Sequence, residues 1–397
     1  MRLPDELLAK RVLVCVGSGG VGKTTLAAAI ALEAARRGRR ALVLTIDPAR
    51  RLADALGIGA LGNEPKAIAP DALVTLGIPA PGSVSAMMLD MKRSFDDLVE
   101  RFAENADARD RILQNRIYQH VSDALAGSAE YSAMEKVFEL SERREYDLIV
   151  VDTPPSQHAL DFLEAPQRLL EFLDSRLVQL LLHPAFAAGR FGFRLFQRSA
   201  QRVLQLLERV SGLAFLEDVS EFLLAFEGMS EGFRERARSV RALLLGPSSA
   251  FVLAAGPSAE SAEQASLLLD RLVASGVPMA GVIVNRVRVW PGGGDAPASI
   301  AEGAEEAPAI ETLRSALARS EGAGFPALEA ARAAVAATRT YAALVRAHAL
   351  ATGRLRSTAE ARGLFWLRVP ELPRDVHDLI GLCRIAAALR GAPAEEA

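Results

Sequence analysis

Residues Val14–Leu26 read VCVGSGGVGKTTL, and Gly17, Gly22, Lys23 and Thr24 fall on the spacing G-x-x-x-x-G-K-[ST]. Those types in that order suit one kind of chemistry, the holding of a phosphate chain. Glycines let the main-chain N–H groups of Gly17, Ser18, Gly19, Gly20, Val21 and Gly22 turn inward toward anionic oxygens, at the positive end of the helix that follows. The Lys23 ammonium would reach the β- and γ-phosphates of a nucleotide, and the Thr24 hydroxyl, with Thr25 beside it, would stand at a Mg²⁺ ion. The competing reading is an ordinary glycine-rich turn. A β-rich run before the loop and a helix-favouring run after it decide for nucleotide binding.

Two acids fit the same chemistry. Asp47 closes an apolar run in TIDPARRLADAL, and Asp152 closes another in LIVVDTPPSQHAL. The carboxyl ends of strands are where open sheets bind ligands. Asp152 has the pattern of the acid beside the Mg²⁺ of phosphate-loop enzymes. A helix-capping role competes at both positions. Asn285 ends GVIVN, where its amide could donate to and accept from a base edge; a turn-forming asparagine is the alternative. His158 either starts a helix or stands near the phosphates, and the other histidines carry no assignment.

These residues need a sheet to position them. Short apolar runs alternate with helical patterns, which predicts an α/β, doubly wound, mostly parallel sheet of about seven or eight strands with helices on both faces. The expected strands are 11–17, 41–47, 71–78, 147–153, 249–256 and 280–287, with a weaker one at 364–370. KTTLAAAIALEAARR favours helix, and Gly38 supplies a stop. Stretches 83–145 and 165–245 have no strand signal and read as one helical subdomain inserted in two pieces. That leaves 1–82, 146–164 and 246–390 as the core, 290–311 as a mobile loop and 391–397 as a frayed tail.

Composition narrows the function classes. A formal net charge of −3 gives no footprint for nucleic acid. The two cysteines, Cys15 and Cys383, are far apart and support neither a disulfide framework nor a zinc site. No run approaches the ~18 apolar residues of a membrane span. MRLPDELLAK lacks the apolar stretch of a signal peptide, so a soluble, cytoplasmic chain with no transmembrane segment is expected.

GSGGVGKTT, TIDPARRLADALGI, DTPPSQHALDFL and VIVNRV, in that order, resemble the ArsA/GET-type ATPases of the deviant-Walker-A phosphate-loop class. SAMMLDMKRSFDDLV and LRVPELPRDVHDLIG extend the likeness over almost the whole chain. The resemblance implies a P-loop NTPase fold with a helical subdomain, ATP and Mg²⁺ as ligands, and a dimer with facing nucleotides. It implies that Gly19 to Thr25 hold phosphates, that Asp47 positions or deprotonates the attacking water, and that Asp152 serves the metal through water. Asn285, Val369, Pro370, Glu371 and Leu372 would contact adenine.

The sequence departs from that pattern in three places. Ser18 replaces the family's signature lysine, the cysteines of arsenite and zinc binding are missing, and Ser258 replaces a glutamate of the cross-dimer contact. Arsenite transport is therefore not expected. At Ser18 three answers stay open: slow hydrolysis, replacement by Arg50 or Arg51, or pairing with a lysine-bearing paralogue. The functional expectation is a dimeric, nucleotide-driven switch that reshapes a helical site for an apolar client or partner. The alternative is a weakly or non-hydrolysing subunit of a heterodimer.

Overall fold

The computed structural model describes residues 2–46, 51–103, 105–115, 128–154, 171, 230–291, 306–319 and 326–392. Eight strands among them make one sheet: β1 (Val12–Gly17), β2 (Arg40–Thr45), β3 (Lys66–Ala67), β4 (Ser83–Met88), β5 (Leu148–Asp152), β6 (Ser249–Ala255), β7 (Met279–Val287) and β8 (Phe365–Pro370). Their order is β3-β4-β2-β5-β1-β6-β7-β8. The β3–β4 pair is antiparallel. The other pairs are parallel.

The helices are α1 (Asp5–Leu8), α2 (Lys23–Arg36), α3 (Arg51–Leu56), α4 (Pro70–Thr75), α5 (Met91–Phe102) and α6 (Ala106–Gln114). They continue with α7 (Ser128–Arg143), α8 (Ser230–Leu245), α9 (Ala259–Ala274), α10 (Ala307–Ala318), α11 (Ala327–Ala361) and α12 (Leu379–Leu389).

Strands β1, β5 and β6 are buried at every position, as parallel strands covered on both faces must be. Their alternate residues feed two separate cores. Val12, Val14 and Val16 of β1 join Ile149, Val151, Phe251 and Leu253 beneath α7, α8 and α9. Leu13 and Cys15 join Leu148, Val150, Ala250 and Val252 beneath α2 and α12. Helix α2 is alanine-rich and buried along most of its length, so it lies close against the sheet. It stops at Gly38, whose left-handed φ of +80° lets its N–H bond Ala35 and the N–H of Arg39 reach back to Ala34.

Two expectations are overturned. Residues 71–78 are not a strand: Pro70–Thr75 form α4, with Pro70 at the first helical position and Gly77 at +68° closing the turn. Only one side of that helix is covered, so Leu73 is buried while Val74 is 66% exposed. Conversely, 83–145 is not helical throughout. Its first residues, Ser83–Met88, form β4, in register with β2 from Arg40↔Ser83 to Thr45↔Met88. Serine and methionine are weak strand formers, but burial between β2 and β3 outweighs their propensity. The core sheet thus extends past residue 82.

Helices α5, α6 and α7 occupy the rest of 83–145 that is described, and α8 the end of 165–245. Most of the second piece lies outside the described residues, as do 292–305 of the expected loop and 393–397 of the tail. The end of 290–311 is helical, since α10 begins at Ala307. Among the described residues no helix is long and apolar enough to cross a membrane.

Candidate nucleotide site

The glycine loop leaves β1 and enters α2 at the carboxyl edge of the sheet. Here the strand order reverses, with β5 on one side of β1 and β6 on the other. Two glycines are required by geometry. A side chain at Gly17 would place its Cβ 2.3 Å from the Ala254 carbonyl oxygen of β6. Gly22 has φ +88°, and a Cβ there would meet the Asn285 amide nitrogen at 2.3 Å. From Gly22 the first helical bond forms at once, with the Leu26 N–H donating to its carbonyl at 2.9 Å.

Lys23 is 8% exposed, and its ammonium arches over the loop to donate to the carbonyls of Gly17 at 3.1 Å and Ser18 at 3.0 Å. Ser18 itself is half-buried. Beside this cation, Thr24 Oγ1 donates to Asp152 Oδ2 at 2.6 Å, and Thr45 Oγ1 donates to the same oxygen at 3.1 Å. Asp152 is 1% exposed at the end of β5. The next residue, Thr153, fixes this strand end to β1, its hydroxyl donating to the Cys15 carbonyl at 2.7 Å. Burial first, then the nearby Asp152 charge, push the Cys15 thiol well up, so it stays neutral and unreactive.

These donors suit Mg²⁺. A threonine hydroxyl in contact with one carboxylate, at the edge of a phosphate loop, offers the hard oxygens of an ion that otherwise keeps waters and phosphate oxygens. The chemistry such an ion supplies is neutralisation of charge on the β- and γ-oxygens. Among the described residues no group of three or more His, Cys, Asp or Glu side chains could hold a metal ion.

The loop opens onto a cavity of about 550 Å³. Gly19, Gly20, Gly22, Lys23, Thr24 and Thr25 of the loop line it. Asn285 of β7 lines it against the loop itself, and Pro370, Glu371 and Leu372 line it where β8 stops. Val369 does not join them: strand alternation turns it into the core, fully buried. Gly17, Ser18 and Val21 shape the loop from behind. Asp47 and Arg50 lie outside the described residues, whereas Arg51 is exposed and lines the cavity at the start of α3. Ser258 is the N-cap of α9, its hydroxyl accepting from the Ser261 N–H at 3.2 Å.

Sequence reasoning missed Thr45 and Thr153, whose signal is only their place at strand ends beside acids. It also missed Arg286, Arg374 and His377, which line the cavity. Arg286 comes from β7 beside Asn285, and the turn between β8 and α12 brings Arg374 and His377 to the cleft from the far end of the chain.

Comparison with known proteins places this geometry in a family. Residues 10–293 match the family described as anion-transporting ATPase. An uncharacterised protein of Streptomyces coelicolor is 33% identical over 181 residues, 45% of this chain and 42% of its own. The ATPase GET3 of Malassezia globosa is 29% identical over 157 residues, covering 40% of this chain and 43% of that protein. A putative arsenical pump-driving ATPase of Halobacterium salinarum is 30% identical over 172 residues, 41% of this chain and 25% of its own. The matched stretches span less than half the length of each of these relatives. With the family match covering the loop, both Thr24 and Asp152, and the Asn285 strand, the chain belongs to the anion-transporting, ArsA/GET-type ATPases.

Proposed function

We propose that the protein binds Mg²⁺–ATP in this cleft and hydrolyses it as a dimeric switch, nucleotide state reshaping a helical site for an apolar client or partner. The observation that carries the reading is the Thr24–Asp152 hydrogen bond beside the Lys23 ammonium at the mouth of α2. Gly19 to Thr25 would cradle the phosphates, and Lys23 would leave its loop carbonyls for the β- and γ-oxygens. Thr24 and Asp152 would hold the metal side. Asn285, Pro370, Glu371 and Leu372 would border the base, and Asp47 would orient the attacking water. Helices α5, α6 and α7, with the stretch 165–245, would carry the client or partner site.

Arsenite is not the substrate in this reading. The chain's only cysteines, Cys15 and Cys383, are buried in β1 and α12, opposite in kind to an exposed soft-ligand cluster. A second reading is favoured by Ser18, which supplies no charge across a dimer. The chain then acts as a slow or non-hydrolysing subunit beside a lysine-bearing paralogue. An arginine supplied across an interface accelerates phosphoryl transfer by roughly 10³–10⁵, so the loss of such a charge should be felt.

Steady-state turnover of the pure chain, with its oligomer mass, separates the readings. A homodimer with fast hydrolysis that is lost in Arg51→Ala supports the switch with a compensating arginine. A slow chain that Ser18→Lys accelerates supports pairing. A chain with no ATP affinity at all refutes both.

A further inference from the structure

We propose that Asn285 is a positioning residue that clamps the phosphate loop in its binding conformation, so that its contribution does not depend on the base. The inference rests on the nucleotide reading above and deepens it. Asn285 is 4% exposed at the end of β7, and its amide Nδ2 donates to the Val21 carbonyl, in the middle of the loop, at 2.9 Å. On the other side Oδ1 accepts from the Arg286 N–H at 3.0 Å. A carbonyl facing the nitrogen and an N–H facing the oxygen fix the amide's orientation from both ends.

The backbone around Asn285 is bent to serve this contact. Arg286 has φ +58°, a left-handed conformation that non-glycine residues adopt only when their surroundings hold them there. The β7–β8 ladder shifts register between Val284 and Val287, so the strand gives up regular pairing where Asn285 turns to the loop. The loop is matched to the clamp in turn. A Cβ at Gly22 would fall 2.3 Å from Nδ2, so only glycine lets the amide lie against the main chain.

Base reading and clamping make different demands on the ligand. Asn285 has one amide N–H left for a base, and its loss would change preference among nucleotides. The clamp instead fixes the Gly19–Thr25 N–H groups before any ligand arrives. Without it, binding must restrict a looser loop, and affinity falls equally for everything that carries the phosphate chain.

The test measures affinities of Asn285→Ala, Asn285→Ser and Asn285→Asp for ATP, GTP and inorganic tripolyphosphate, each with Mg²⁺, after circular dichroism of the ligand-free variants. Aspartate keeps the shape and sets a carboxylate oxygen against the Val21 carbonyl. The expected result is a folded chain that binds all three probes about tenfold or more weakly, by a common factor, with Asn285→Asp the worst. Loss confined to one base, with tripolyphosphate unchanged, would overturn the clamp, as would unchanged affinity or failure of all three variants to fold. Should the wild-type chain bind no nucleotide, the site reading itself fails; wild-type ATP binding with a base-dependent pattern in the variants sinks the clamp alone.

Discussion

Thr45→Val isolates what fixes the carboxylate at the metal end of the cleft. Thr45 is 1% exposed, and its hydroxyl donates to Asp152 Oδ2 at 3.1 Å, the oxygen that also accepts from Thr24 at 2.6 Å. Valine keeps the volume and the β-branch and replaces a donor with a methyl group. A hydrogen bond to a charged group contributes about 1.5–3 kcal/mol, and the buried methyl returns about 0.8. The net cost is about 1–2 kcal/mol. For 397 residues the entropy of cooperative unfolding is about 0.8 kcal/mol/K, so the melting temperature should drop by only about 1–3 °C. Metal dependence is the larger readout. With Mg²⁺ bound, the Thr24 hydroxyl would turn to the ion and Thr45 would still hold the carboxylate in place. Without Thr45 the carboxylate must be ordered on binding, at about 0.5–1.5 kcal/mol, so the Mg²⁺ concentration for half-maximal ATP binding should rise by about 2–12-fold. The assay is ATP titration at stepped Mg²⁺, with Thr45→Ser as the conservative control. An unchanged Mg²⁺ midpoint, or an equal loss in the serine variant, would refute the reasoning.

Lys23→Ala removes the cation that reaches the Gly17 and Ser18 carbonyls, and ATP affinity measured by calorimetry should fall about 100-fold while the fold persists. Asp47→Asn should leave ATP binding intact and depress turnover; a variant that binds poorly instead would assign Asp47 to capping α3. His348 accepts the Arg288 N–H at Nδ1, and burial first, then the Arg288 charge, hold the imidazole below its ordinary 6.5 against the opposing Glu371. The unfolded chain therefore takes up the proton first as pH falls from about 6.5, so this contribution is complete above that value and is lost on descent through the folded one. Thermal melts between pH 7.5 and 5 should lose more stability in the wild type than in His348→Gln, whose side chain can accept at every pH.

The turn from β1 through the glycine loop into α2 was legible because its parts are adjacent in the chain and Gly17 and Gly22 have geometric necessity. The doubly buried strands β1, β5 and β6 were legible for a similar reason, since a strand covered on both faces is a continuous apolar run. Elements with one covered face were harder. DALVTLGI carries enough apolar residues to pass for a strand, yet Pro70 preorganises a helical turn and Gly77 ends it. SVSAMM lacks the β-branched run that would announce a strand. It becomes one because β2 offers it a full parallel ladder and its Val84, Ala86 and Met87 are completely buried. Thr45 escaped notice at the site because a threonine ending a strand is common, and only the sheet order that sets β2 beside β5 gives it a carboxylate to hold.

Separation in sequence also explains how the cleft is held together. Lys23 bonds carbonyls within its own loop, Thr24 reaches an acid 128 residues away, and Asn285 reaches Val21 across 264. Strands β5 and β6 flank β1 directly, with β7 next, so these distant side chains converge on one turn. The loop is shaped by contacts to Gly17, Val21, Gly22 and Thr24, and Ser18 enters only through its carbonyl. Serine in place of the lysine that the resemblance leads one to expect there therefore changes charge and leaves these loop contacts alone. On the function proposed above, a loop of this form with one cation fewer would bind its nucleotide and slow its chemistry, because ground-state contacts would survive while stabilisation specific to the transition state would be withdrawn. On this reading three answers stay open at Ser18: slow hydrolysis, a charge from Arg51 in the cleft or Arg50 beside it in sequence, or a charge from a second subunit.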